Sequence, residues 1–230
     1  MPKLIFLFFG SIFFFQPISA QKIGKFDSQI FLVDQNGLPF NRTYKGVEGT
    51  PYFINEFKYG TIELKTGRKF INAFFKLDIA SNEILFRTPD NEEGIISSQF
   101  VNEVQIQDTS LQDIKSYYFR TGFPSIDKYK SGEFCEILAE GKLTLVNVIH
   151  KKIETRKNDF SGEIVKEFVL YEDLYVYQNG EMKRMKKDRD FLLLLMQDQR
   201  AKMEEYLKRD KKNLKNPQIL AETIRYYNQL

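Results

Sequence analysis

From about residue 50 to residue 187 the chain repeats one pattern. A short segment rich in Ile, Val, Phe, Tyr and Leu gives way to turn residues every ~8 to 15 positions, the signature of antiparallel strands. The clearest hairpin runs Thr61-Ile62-Glu63-Leu64-Lys65, then Thr66-Gly67, then Arg68 to Leu77. Ile62 and Leu64 share one face while Thr61, Glu63 and Lys65 take the other, the alternation of a sheet with one wet side. Glu83 to Arg87 and Val101 to Ile106 follow, the second with Val101, Glu103 and Gln105 opposite Asn102, Val104 and Ile106. Phe134 to Ala139 and Leu143 to His150 join at Glu140-Gly141. Val165 to Leu170, Leu174 to Gln178 and Glu181 to Met185 complete the set. Asn179-Gly180 is the strongest turn signal, because both central positions of a type I′ turn need positive φ. Thr155 to Glu163 is polar and reads as a long exposed hairpin tip.

Near residue 188 the period becomes helical. Asp188 or Asp190 can cap a short helix through Met196, and Asp198 a second with Met203, Tyr206 and Leu207 on one stripe. Asn216-Pro217 opens a third, in which Leu220, Ile224 and Tyr227 stand at i, i+4, i+7. Each is too short to persist alone, so the stripes must pack on the sheet or on one another. The expected class is α+β: a curved antiparallel sheet or open barrel-like sandwich over 50–187, with three short C-terminal helices over 188–230. Residues 21–49 form an N-terminal segment that is partly loop, with Ile30 to Val33 as its candidate strand.

Residues 1–20 read as a signal peptide. Lys3 supplies the positive charge, Leu4 to Phe15 the apolar stretch, Pro17 the break and Ala20 the small residue before the cut. An apolar run of about 12 residues is short of the roughly 20 needed to span a bilayer, so cleavage after Ala20 is expected, and no later segment is long enough to cross. Export to the periplasm or the extracellular space follows. One Cys, Cys135, excludes an intramolecular disulfide, and with one His, His150, it excludes finger-type zinc sites. Cys135 on a strand reads as a small buried hydrophobe.

The net charge of +3 hides an asymmetry, because residues 181–215 carry 12 basic and 7 acidic side chains. Glu204 with Lys208 and Glu205 with Arg209 stand at i, i+4, as on a solvated helix face, although the basic 183–215 region also admits peripheral membrane contact. The basic stretch is short for nucleic-acid binding, which is not expected.

Several motifs resemble a family of exported Bacteroidota proteins that carries no assigned activity. These are Gly49-Thr50-Pro51-Tyr52 with Phe57 and Gly60-Thr61, the strand ending Leu77-Asp78, the loop Gly122-Phe123-Pro124, and the tail from Lys187 through Tyr226-Tyr227-Asn228. The likeness spans most of residues 49–230 and implies export and lineage, not a mechanism. Proteins of that phylum released by its C-terminal-signal route end in a β-rich domain, whereas helices end this chain. The resemblance therefore implies a periplasmic or peripherally attached protein.

The residues point to no catalytic set, cofactor or metal. His150 lacks an elbow motif such as G-x-S-x-G and reads as a strand-end surface histidine. Carboxylates that could pair for hydrolysis are Asp78, Asp90, Glu92, Glu93, Glu133 and Glu136, with Asp90 to Gly94 read as a solvated turn. Tyr117, Tyr118, Arg120 and Phe123 form the candidate binding surface, since exposed aromatics beside Arg stack on sugars and other planar ligands. The expected function is a non-enzymatic binding or accessory module whose partner is an envelope protein or glycan. Two alternatives stand beside it: a carboxylate-dependent hydrolase of envelope glycans or peptides, and a carrier of a lipid or other apolar ligand. Six of the 22 Phe lie within residues 1–15, which weakens the carrier.

Overall fold

A computed structural model describes residues 44–110, 114–157, 162–209 and 213–230. The expected signal peptide, the strand expected over Ile30 to Val33 and the centre of the expected 155–163 tip lie outside these residues. Among the described residues eleven strands form one sheet: β1 (Val47–Glu48), β2 (Lys58–Leu64), β3 (Lys69–Asp78), β4 (Glu83–Arg87), β5 (Glu93–Ser97), β6 (Val101–Asp108), β7 (Lys115–Arg120), β8 (Cys135–Ala139), β9 (Thr144–Lys157), β10 (Ile164–Gln178) and β11 (Glu181–Arg184). Their spatial order is β1-β10-β9-β8-β7-β6-β2-β3-β4-β5, with β11 also on β10. The path does not close. All pairings are antiparallel except that of β1 with β10.

The sheet is nevertheless strongly curved. Phe53 N donates to Leu77 O at 2.8 Å and Ile79 N to Pro51 O at 3.1 Å, which straps residues 51–53 along the end of β3. From β9, Lys151 N reaches Ile79 O at 3.3 Å, and its Nζ donates to Thr50 O and Tyr52 O at 2.9 and 2.7 Å. Since β9 and β3 are separated by four strands in the sheet, these bonds exist only because the sheet curls. Phe53 crosses the concave side, edge-on to Tyr117 and Phe119 with ring centroids 4.9 Å away in each case.

Alternation places Ile62, Leu64, Phe70, Phe75, Phe86, Val104 and Phe119 in the main core on that concave side. Val101 joins them although simple alternation assigns it outward, because the β2–β6 register shifts between Glu63 and Leu64 and turns it inward. A second bulge sits where β3 passes β2 near Gly60, and Asn72 takes the left-handed conformation there, φ 55°. Gly60 is obligatory for closeness: a Cβ would lie 2.0 Å from the Gln105 carbonyl oxygen of β6. Beside it, Lys58 and Asp108 make a buried ion pair at 2.8 Å. The Lys58 ammonium, helped by Ser110, holds the Asp108 carboxyl down at about 2.

Among the described residues three α-helices follow the sheet: α1 (Arg189–Leu195), α2 (Arg200–Arg209) and α3 (Pro217–Asn228). Asp188 caps α1 and Asn216 caps α3, as the sequence indicates. A short 3-10 turn precedes α2 in place of the expected Asp198 cap, and Asp198 instead accepts from the buried Tyr227 hydroxyl at 2.8 Å. On α2, Glu205 pairs with Arg209, but Glu204 pairs with Arg200 rather than Lys208. Leu192, Met196, Met203, Leu220, Ile224 and Tyr227 pack on Leu145, Leu174 and Val176 of the sheet as a second core. Asn228 clamps α3 to the β8–β9 turn: its Nδ2 donates to Glu140 O and Leu143 O, and its Oδ1 accepts from Leu143 N. That turn spans residues 140–143 rather than two positions, with Gly141 beneath Asn228. The architecture is thus α+β, an open curved sheet with three helices, and among the described residues no helix is long and apolar enough to cross a membrane.

Candidate functional site

The concave side is not filled evenly. The strapped core around Phe53 lies at one end and the helices at the other, and a cleft of about 570 Å³ lies between them. Its floor comes from neighbouring strands: Tyr117 of β7, Glu136 of β8, Asn147 and Ile149 of β9, and Glu172 of β10. Cross-strand register explains the grouping, because Glu136 pairs with Asn147 and Ile149 with Glu172. Ala221 and Arg225 of α3 form the far wall.

Asn147 holds the polar centre together. Its Nδ2 donates to Glu136 Oε2 at 3.3 Å and to Glu172 Oε1 at 3.2 Å. The two accepting carboxylate oxygens therefore stand no further apart than about 6.5 Å. The environments differ. Glu172 is exposed, whereas Glu136 is half-buried and its carboxyl is pushed above 4.5, first by burial and then by the Glu172 charge, against the opposing pull of Asn147 and Lys115. Asn147 itself is 7% exposed, and its Oδ1 has no hydrogen-bond donor among the described residues. An unsatisfied buried carbonyl is costly in a native fold, so an acceptor left without a donor at a cleft floor marks a place where a ligand can supply one.

The four residues singled out from sequence do not form one surface. Tyr117 faces the cleft, where Lys115 Nζ lies 4.5 Å from its ring centre. Tyr118 is exposed on the convex face and accepts from Gln105 Nε2 at 3.2 Å. Arg120 shares that face but is occupied by Glu103 and Glu140, at 2.9 and 2.6 Å. Phe123 is buried against Tyr177.

The other candidates divide clearly. Asp78 receives Tyr44 Oη and the backbone N–H groups of Ala80 and Ser81, so it organises the end of β3. Glu93 opens β5, where a solvated turn was expected, and pairs with Arg87. His150 is not at a strand end, since β9 runs on to Lys157. It stacks on Tyr171 at 5.3 Å, and its pKa is lowered first by burial and then by Lys152. It faces a convex-side cavity of about 310 Å³ with Asp127, Asp173, Tyr175 and Arg184. There Arg184 and the Tyr175 hydroxyl both donate to Asp127, and Arg184 also donates to Asp173, which leaves that polar set mutually satisfied. Cys135 is fully buried, and burial pushes its thiol up to about 12, which removes thiolate chemistry at neutral pH.

Sequence reasoning named Glu136 but not Asn147 or Glu172. The signal was present: Asn147 interrupts the apolar run Leu145-Val146-Asn147-Val148-Ile149 on a strand buried on both faces. Among the described residues no group of three His, Cys, Asp or Glu is placed to hold a metal ion. No protein-family model, curated protein or solved structure matches this chain.

Proposed function

We propose that this chain is an exported envelope protein that works as a binding or accessory module, with the concave cleft as its ligand site. Export rests on the character of residues 1–20. The observation that carries the binding reading is the buried Asn147 side chain, whose amide nitrogen bridges two carboxylates and whose carbonyl has no donor among the described residues, at the floor of an open cleft. Ligand sites combine apolar walls with a few such placed polar groups. Phe53, Ile149 and Ala221 supply the apolar part here.

The test is capture from an envelope extract by the mature chain, by the cleft variant Glu172→Arg and by the convex-face control Tyr59→Ala. A component retained by the first and third but lost from the second supports the reading. Equal retention by all three, or no retained component, overturns it.

A second reading, hydrolysis of glycans or peptides, is favoured by one observation: Glu136 and Glu172 share the Asn147 amide but differ in exposure, and unequal environments divide acid and base roles between two carboxylates. Release of reducing ends or new amines from envelope glycan or peptide by the wild type, abolished in Glu136→Gln, would establish it. The apolar-carrier reading gains no support, because Phe70, Phe75, Phe86, Phe119 and Phe134 are packed within the core.

A further inference from the structure

We infer that the ligand of this cleft presents a primary ammonium group on an aliphatic chain. The inference rests on the cleft being the binding site proposed above and specifies the chemistry it takes. Three oxygen acceptors meet at its floor: Glu136, Glu172 and Asn147 Oδ1. Asn147 is more than nine-tenths buried, lines the cleft, and has no donor to its Oδ1 among the described residues.

The acceptors decide the guest. A hydroxyl brings one donor and no charge, while an ammonium brings three donors and the positive charge that offsets the burial of Glu136. The methylene-compatible wall beside these acceptors favours an organic cation on an aliphatic chain over a bare ion. Every charged group lining the cleft enters the balance. Lys115 lies over the Tyr117 ring, and Arg225 Nη2 is committed to the Leu138 carbonyl at 2.7 Å. Against these two cations stand Glu136, Glu172 and the exposed Glu222 of α3, so one further positive charge brings the cleft to neutrality. Phe53, Ile149 and Ala221 offer the apolar wall along which methylene groups lie.

The experiment is isothermal titration calorimetry of the mature chain, residues 21–230, with three probes: Nα-acetyl-lysine amide, its uncharged analogue Nα-acetyl-norleucine amide, and chitotriose. The lysine probe is expected to bind at least about tenfold more tightly than the norleucine probe, which is the loss of one net charge-assisted contact. Glu172→Gln, checked for fold by circular dichroism, should weaken the lysine probe by about tenfold and leave the norleucine probe unchanged. Affinity should fall with pH as Glu136 takes up a proton. Equal binding of the lysine and norleucine probes, or binding of chitotriose alone, overturns the ammonium inference while the cleft remains a binding site. If none of the three binds, the ammonium inference is overturned, and extract capture with Glu172→Arg decides the broader reading separately.

Discussion

At the scale of single residues, the cleft depends on a side chain that sits against the grain of its surroundings. Glu136 keeps a carboxyl in a half-buried position, and its folded-state pKa lies above the 4.5 of the free group. The folded protein therefore holds a proton there that the unfolded chain has already released, so stability is full below pH 4.5 and is lost as pH rises through the folded-state pKa. Glu136→Gln removes this dependence. Urea unfolding across that window should show the variant gaining on the wild type as pH increases; parallel curves would mean that the carboxyl is not desolvated. Asn147 was legible in principle as an amide within an apolar run. Glu172 was not, because which of Tyr171, Glu172 and Asp173 faces the helices depends on the register of β10 on β9, which no local pattern carries.

Among elements, α3 is the wall that turns a curved sheet into a cleft, and Asn228 ties it down. Its side chain satisfies three backbone groups of the 140–143 turn, and Gly141 lies so close that a Cβ there would stand 2.5 Å from the Asn228 side chain. Asn228→Ala should cost about 2 kcal/mol and raise amide exchange along α3 more than along β2 to β6, measured by hydrogen–deuterium exchange. Exchange rising evenly across the chain would show that the clamp is not local. The strands with clean alternation and good turn residues, β2 through β4 and the β10–β11 hairpin across Asn179-Gly180, were readable from sequence, as were the caps of α1 and α3. β5 was hidden by the acidic turn before it. β9 was cut short because its outer half is polar, and β10 was divided into two strands at the polar Glu172-Asp173, while the structure pairs the two continuously from Thr144–Tyr177 out to Lys157–Ile164. A two-stranded ribbon with both faces wet has no apolar alternation to announce it.

For the whole molecule, three hydrophobic clusters share one sheet among the described residues: one around Phe123, Cys135 and Tyr175 on the convex side, and two cores on the concave side. The strapped core closes around Phe53, and the helical core covers Leu145, Leu174 and Val176. Deleting residues 189–230 uncovers that second patch, and the expected product is aggregated or non-cooperatively folded protein by size-exclusion chromatography and thermal melting. A soluble, cooperatively melting product would show that the helices are an appendage. The cleft exists only where the two cores meet, which ties its function to the intact fold. Its most direct test is a carbon-detected NMR pH titration of the Glu136 and Glu172 carboxyls with the Asn147 side-chain amide followed in parallel, without and with Nα-acetyl-lysine amide. Glu136 is expected to titrate above 4.5, with the Asn147 amide signals moving alongside it, and the lysine probe is expected to lower the Glu136 midpoint. A Glu136 midpoint at or below 4.5, with an Asn147 amide unmoved by pH or probe, would contradict it.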